Sequence, residues 1–244
     1  MIVLKDLSKE TNGHPLLDKV NLSIFSAEKV ALVGRRHSGK STLMRILCGY
    51  LRPTTGSVRV GNFDLGRQSS QARRLIGYVP TDPPLYPELT VEQYLVLCAS
   101  LRGLKRSAAE SVAEPCELAH VWTRLISSLP RGLAQQINLA QALLHNPNFL
   151  LIDDPFVDLD PAERTTVLGI LQKFAPNKTL LLATHNLDLL PLLCNRVLIL
   201  HEGRISFDGE LKQLSHFDRL ESAFLHYTPT QENAIESFDW SPET

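Results

Sequence analysis

The sequence predicts an α/β fold with a mixed, largely parallel sheet, and three observations carry that prediction. Short apolar runs alternate with amphipathic helical patterns along most of the 244 residues. One of those runs ends in the stretch VALVGRRHSGKSTL (30–43), a glycine-bounded loop between a strand and a helix. Residues 86–145 carry helical spacing with little strand pattern, which reads as a helical insert in an otherwise alternating chain. The fold class is therefore a P-loop NTPase core with an antiparallel β flank and a helical subdomain.

In order, strands are expected at Ile2–Lys5, Val20–Phe25, Lys29–Val33, Ser57–Val60, Ile76–Val79, Phe149–Asp153, Thr179–Ala183, Val197–Leu200 and Arg204–Phe207. The first two and the Ser57 strand lack long crossover helices and so form the antiparallel flank. A helix begins near Lys40. Val91, Tyr94, Leu95, Cys98 and Leu101 follow the 3-and-4 spacing of one inward apolar face, as do Leu133, Ile137, Ala140 and Leu144. Asp160 followed by Pro161 is an N-cap and first helical residue, with Val167, Ile170, Leu171 and Phe174 as the buried stripe. Residues 1–227 form one domain with the insert at about 86–145. The end, 228–244, is polar and acidic, without Lys or Arg after Arg219. Phe238 and Trp240 there are either a docking motif or part of a floppy tail.

Composition narrows the function classes. A 43% hydrophobic and 21% charged chain folds as a globular protein. Its net charge of -1, with no basic patch, argues against a nucleic-acid partner. Cys48, Cys98, Cys116 and Cys194 share no close spacing, so they read as reduced, mostly buried thiols rather than metal ligands or disulfides. No basic-then-apolar leader opens the sequence, and no apolar run is long enough to span a membrane.

The glycine-bounded loop carries the chemistry. Gly34, Gly39, Lys40 and Ser41 match G-x-x-x-x-G-K-[ST] in its strand–loop–helix setting. The glycines let residues Arg35, Arg36, His37 and Ser38 fold back so that their N–H groups form an anion nest. The following helix aims its positive end at the same place. Lys40 reaches the terminal phosphates and the Ser41 hydroxyl binds Mg²⁺. A glycine turn with a surface lysine is the competing reading. Thr42 either assists the phosphates or merely starts the helix. After such a loop, Asp153 at the end of FLLIDDPFVDLDP (149–161) stands where an acid holds Mg²⁺.

With those residues in view, the chain resembles the ATP-binding subunit of an ATP-binding cassette (ABC) transporter over about residues 1–215. The resemblance includes GYVPTDPPLYPELTVEQYL (77–95), SLPRGLAQQINLAQALLHNP (128–147), the DLDP at 158–161 and ATHNLDLL (183–190). LYPELTV and the tail layout resemble the exporter branch whose membrane partner is an ABC-2-type permease. The resemblance implies ATP and Mg²⁺ as ligands and ATPase activity. It implies a head-to-tail dimer, homo- or hetero-, with each ATP between the P-loop of one chain and the signature loop of the other. It also implies a separate permease, and a place on the cytoplasmic face of the membrane. By motif position, Asp153 is the magnesium acid, Asp154 occupies the catalytic glutamate's place, and His185 is the switch histidine or a satisfied loop-end histidine. Asp160 is the interface aspartate or simply the helix cap, and Gly132 is a signature glycine.

Several positions depart from the family pattern. Asp154 is one methylene shorter than glutamate, setting its carboxylate about 1.5 Å back. A displacement of about 1 Å can cost around 10²-fold in rate. Thr81 replaces the glutamine that contacts Mg²⁺ and water. The signature L-S-G-G-Q becomes LPRGL, Leu129 to Leu133, where Pro130 removes a hydroxyl and an N–H. Arg131 either supplies charge or is solvated. His37 replaces a glycine, Asp158 a small residue, and Thr11 an aromatic that would stack on adenine for roughly 1–3 kcal/mol. The charged holders remain while the groups that position water are altered, so slow hydrolysis is expected. A non-hydrolysing regulatory subunit paired with a competent ATPase is the alternative, and a soluble cassette outside transport a third reading.

Overall fold

The computed structural model describes residues 1–217 and 219–229. The strands are β1 (Ile2–Thr11), β2 (His14–Ile24), β3 (Lys29–Gly34), β4 (Thr55–Val60), β5 (Phe63–Asp64), β6 (Ile76–Val79), β7 (Phe149–Asp153), β8 (Thr179–Ala183), β9 (Arg196–His201) and β10 (Arg204–Glu210). The helices are α1 (Lys40–Leu47), α2 (Ser69–Arg74), α3 (Val91–Leu101), α4 (Arg106–Ala113), α5 (Arg131–Leu143), α6 (Pro161–Phe174), α7 (Leu190–Leu193) and α8 (Leu220–Tyr227).

Two sheets result. A six-stranded sheet runs in the order β10-β9-β3-β8-β7-β6, parallel except for the edge strand β10, which is antiparallel to β9. Its central strands, buried on both faces, are the near-continuous aliphatic runs that a covered parallel sheet requires. A four-stranded antiparallel sheet, β2-β1-β4-β5, forms the flank. The space between the two sheets is filled around α1 by Leu4, Leu22, Leu43, Met44 and Leu198. On the other face of the large sheet, α3, α5 and α6 pack Leu95, Ile137, Leu139, Val167 and Ile170 into a second core.

The flank strands exceed expectation: β1 runs on to Thr11 and β2 starts at His14 rather than Val20. The cause is a two-residue turn at Asn12 (φ 52°) and Gly13 (φ 77°), the left-handed pair that matches hairpin twist and sets Thr11 opposite His14, with three register shifts further along the pair. The inward face expected of α3 is also only partly right. Val91, Tyr94 and Leu95 are buried, but Cys98 is half-buried and Leu101, in the last turn, is 79% exposed. In α5, Ile137, Ala140 and Leu144 are buried and Leu133 half-buried. Asp160 caps α6 as expected, and Glu163 completes a capping box.

Cys48, Cys116 and Cys194 are buried, Cys98 is half-buried, and all are free thiols. Among the described residues no helix is long and apolar enough to cross a membrane. Thr228, taken from sequence as the start of the tail, is fully buried at the end of α8. Phe238, Trp240 and the rest of 230–244 lie outside the described residues.

Candidate functional site

The phosphate loop leaves β3 at Gly34 and enters α1 at Lys40. Glycine is required at both ends. A Cβ on Gly34 would collide with the Leu200 carbonyl and the Ser38 hydroxyl. Gly39 has φ +107°, and a Cβ there would lie 2.6 Å from the Leu16 carbonyl oxygen. Between them His37 adopts φ 63°, the left-handed region in which the sequence departure carries strain. Lys40 folds back over the loop and donates from Nζ to the carbonyls of Gly34 (2.7 Å) and Arg35 (2.9 Å). Burial lowers its pKa, against the opposing pull of Asp154 and Asp153.

Leu16, Arg36, His37, Lys40, Ser41 and Thr42 line a cavity of about 480 Å³. Thr81, Asp153, Asp154 and His185 line it from the ends of β6, β7 and β8. Carboxyl-end residues of parallel strands thus meet a helix N-terminus, the usual ligand site of such sheets. Burial raises the Asp153 carboxyl above its ordinary range; the neighbouring Ser41 hydroxyl opposes the rise, Asp154 adds to it and Lys40 opposes it. Ser41 and Asp153 both line the cavity, and a hydroxyl with a carboxylate suits Mg²⁺, which takes few protein oxygens and keeps water. Ser38, expected at the site, is buried with its hydroxyl unpartnered among the described residues and is not among the residues lining the cavity.

Asp154 is tightly held. It sits at φ 48°, a left-handed position that aspartate tolerates better than most residues, and donates its N–H to the Ala183 carbonyl at 2.8 Å. Its carboxylate meets His185 twice, accepting from the backbone N–H at 3.3 Å and lying 3.0 Å from Nε2 of the ring. Burial lowers the His185 pKa, Asp154 raises it, and Lys40 and Arg36 lower it further. Thr81 donates its hydroxyl to the Asp153 carbonyl at 3.0 Å, so that proton is directed at backbone rather than into the cavity.

The structure separates some of the expected residues. Pro130 and Gly132 are not among the residues lining this cavity; they form the N-terminus of α5. There the Gly132 N–H donates to Glu163 Oε1 at 2.9 Å, while Glu163 Oε2 accepts from the Asp160 N–H at 3.0 Å. One carboxylate therefore caps α5 and α6 together, a contact that the Asp160-x-x-Glu163 spacing announces only for α6. Arg131 is not simply solvated: its guanidinium lies 3.5 Å from Asp158 and 3.9 Å from Asp82. Arg35 turns its side chain away from the cavity to Thr228. Thr11 is exposed at the hairpin, and Leu16, which sequence reasoning missed, closes that side of the cavity instead.

Comparison with known proteins places the family and the fold. Residues 17–157 match the family model described as ABC transporter. The chain is 35% identical over 218 residues to the uncharacterized ABC transporter ATP-binding protein YxlF of Bacillus subtilis (strain 168), spanning 88% of this chain and 72% of that one. A solved structure of an ATP-binding subunit of an ABC transporter superposes with a TM-score of 0.84 at 27% identity, over 94% of this chain and all (100%) of the other. The dimeric post-hydrolysis structure of the ATP-binding cassette MJ0796, bound to ADP and Pi, superposes with a TM-score of 0.78 at 27% identity, over 86% and 99% of the two chains.

Proposed function

The chain belongs to the ABC transporter family as an ATP-binding subunit, and from that premise we propose that it binds Mg-ATP in a head-to-tail dimer and hydrolyses it slowly. In this reading Lys40, Ser41 and Thr42, with the N–H groups of residues 34–39, hold the phosphates. Ser41 and Asp153 hold Mg²⁺, which when bound neutralises charge on the phosphates. Asp154 is the base, His185 orients it, and Thr81 borders the attacking water. Pro130 and Gly132 face the γ-phosphate of a partner chain's ATP. Residues 1–227 act as one cassette, with 86–145 as its helical insert. It drives a separate permease of the ABC-2 type from the cytoplasmic face of the membrane.

The observation that carries slow hydrolysis is the hold on Asp154. Its short carboxylate is engaged by both the ring and the backbone of His185, on a main chain fixed by the Ala183 carbonyl. A base must reach within about 3 Å of the proton it takes. This one is drawn toward His185 and lacks a methylene of reach. Phosphoryl transfer depends on such positioning, whereas binding rests mainly on the charged holders, which are present.

The regulatory reading, ATP bound at an interface and never turned over, is favoured by the Thr81 hydroxyl being committed to the Asp153 carbonyl. Paired measurements of Mg-ATP binding and steady-state phosphate release, on the native chain and on Asp154→Glu, separate the two. Slow hydrolysis expects tight binding with low release, raised about tenfold or more by the longer acid. Binding without release in both proteins would favour the regulatory reading. Brisk release by the native chain would overturn both.

A further inference from the structure

We propose that α8, the last helix among the described residues, clamps the phosphate loop, with Arg35 and Thr228 as positioning residues for nucleotide binding. Helix α8 is fixed to the body of the protein. Ala223 is fully buried, and the Tyr227 ring packs on Phe207 of β10 with centroids 4.8 Å apart. The last carbonyls of a helix need donors from outside it, and a cation there also meets the negative end of the dipole. Arg35 supplies both. Its Nε donates to the Thr228 carbonyl at 3.1 Å and to the Thr228 hydroxyl oxygen at 3.3 Å, across 193 positions of sequence. Thr228 is itself fully buried, and its hydroxyl donates to the Phe224 carbonyl at 2.8 Å, which sets the oxygen toward the guanidinium.

The other end of Arg35 completes the connection. Its backbone carbonyl accepts from Lys40 Nζ at 2.9 Å. A single residue thus joins the end of α8 to the ammonium group that lies over the loop. The arrangement fixes the path of residues 34–40 before any phosphate arrives, together with the Ser38 N–H, which donates to the same Arg35 carbonyl at 3.2 Å, so the loop needs less ordering on binding. Pre-organisation of this kind strengthens binding by removing an ordering cost. The clamp rests on the nucleotide-binding reading of the loop. It adds that α8, although outside the cavity, sets the affinity.

The test uses four full-length variants, Arg35→Ala, Arg35→Lys, Thr228→Val and Thr228→Ser, and the double variant Arg35→Ala/Thr228→Val. Hydrogen exchange of amides 35–41 is read without nucleotide, and Mg-ATP affinity, KM and kcat with it. The clamp expects several-fold faster loop exchange in Arg35→Ala and Thr228→Val. Affinity is expected to fall on the order of tenfold in Arg35→Ala, the scale of one lost hydrogen bond from a charged donor. Thr228→Val should lose less, because the carbonyl remains, and Thr228→Ser should behave as the native chain. The double variant should be no worse than Arg35→Ala, and KM should rise while kcat stays within about twofold. Arg35→Lys, which keeps the charge but not the planar donor, should fall between. Native exchange and affinity in Arg35→Ala and Thr228→Val would overturn the clamp. So would losses that follow charge alone, with Arg35→Lys and Thr228→Val both unchanged. A native chain that binds no Mg-ATP would defeat the nucleotide reading, and the exchange measurements would still decide whether α8 holds the loop.

Discussion

At the scale of single residues, the site is set by how few atoms separate a holder from a reactant. Lys40 and Asp153 are charges brought into a half-closed cavity, and burial moves the pKa of each toward its neutral form. His185 shows the same effect in a form that can be measured. Burial holds its imidazole below the ordinary histidine value near 6.5, and Asp154 pulls it back up. An NMR titration is expected to place its midpoint below that of a free imidazole, and Asp154→Asn should move it lower still. The neutral ring's contribution to stability is complete above about pH 6.5 and fades as pH falls through the folded midpoint. A midpoint above that of a free imidazole would mean the ring is held as a cation by Asp154. The thiols make a parallel case: burial pushes Cys116 and Cys194 up to about 12 and Cys48 well up, with no cationic partner strong enough to reverse it. At neutral pH all three should resist alkylation in the native protein and react on unfolding, as a timed thiol assay would record.

At the scale of elements, the most informative contact is the double cap made by Glu163. Its carboxylate serves the N-termini of α5 and α6, and its side chain fills the space beside Gly132 that a Cβ would need. Glu163→Ala should lower stability by about 1–2 kcal/mol in urea denaturation, the scale of a lost cap. Glu163→Gln keeps only one of the two accepting oxygens and sets an amide N–H against the other donor, so it should lose half of that or more. No loss in Glu163→Gln would mean that the second of the two hydrogen bonds contributes nothing. The cap on α6 was legible in the sequence because Asp160, Pro161 and Glu163 are local. The bond to Gly132 was not, because it joins positions 31 apart whose meeting depends on the packed fold. The same division runs through the chain. The buried parallel strands, the phosphate loop and Asp153 were legible from runs and spacing. The full length of β1 and β2 was signalled by Asn12–Gly13 but outweighed by polar residues on their exposed face. Helix α8 carried a periodic signal that sequence reasoning missed, with Leu220, Ala223, Phe224 and Tyr227 at i, i+3, i+4 and i+7 and all packed on the core, whereas the turn of Arg35 toward Thr228 joins positions 193 apart and had none.

At the scale of the whole molecule, two faces matter. The cavity with the phosphate loop is on one, and the capped N-terminus of α5 contributes nothing to that cavity within the chain. In the proposed dimer a site completed across two copies would resolve this separation, and slow hydrolysis would make such a pair persist. Sedimentation velocity is expected to show a dimer with Mg-ATP alone that decays slowly, and a monomer without nucleotide. A chain that stays monomeric at saturating Mg-ATP would require a different second subunit. The sheet order has a further consequence, for the history of each molecule. Strand β3, which ends in the phosphate loop, has no neighbour near it in sequence: Val30 lies beside Leu181 of β8 on one side and Arg196 of β9 on the other. During synthesis the loop therefore leaves the ribosome well before the strands that seat it. A nascent chain carries an unpaired aliphatic strand until about residue 200 has emerged, which is the interval in which chaperones matter most to it.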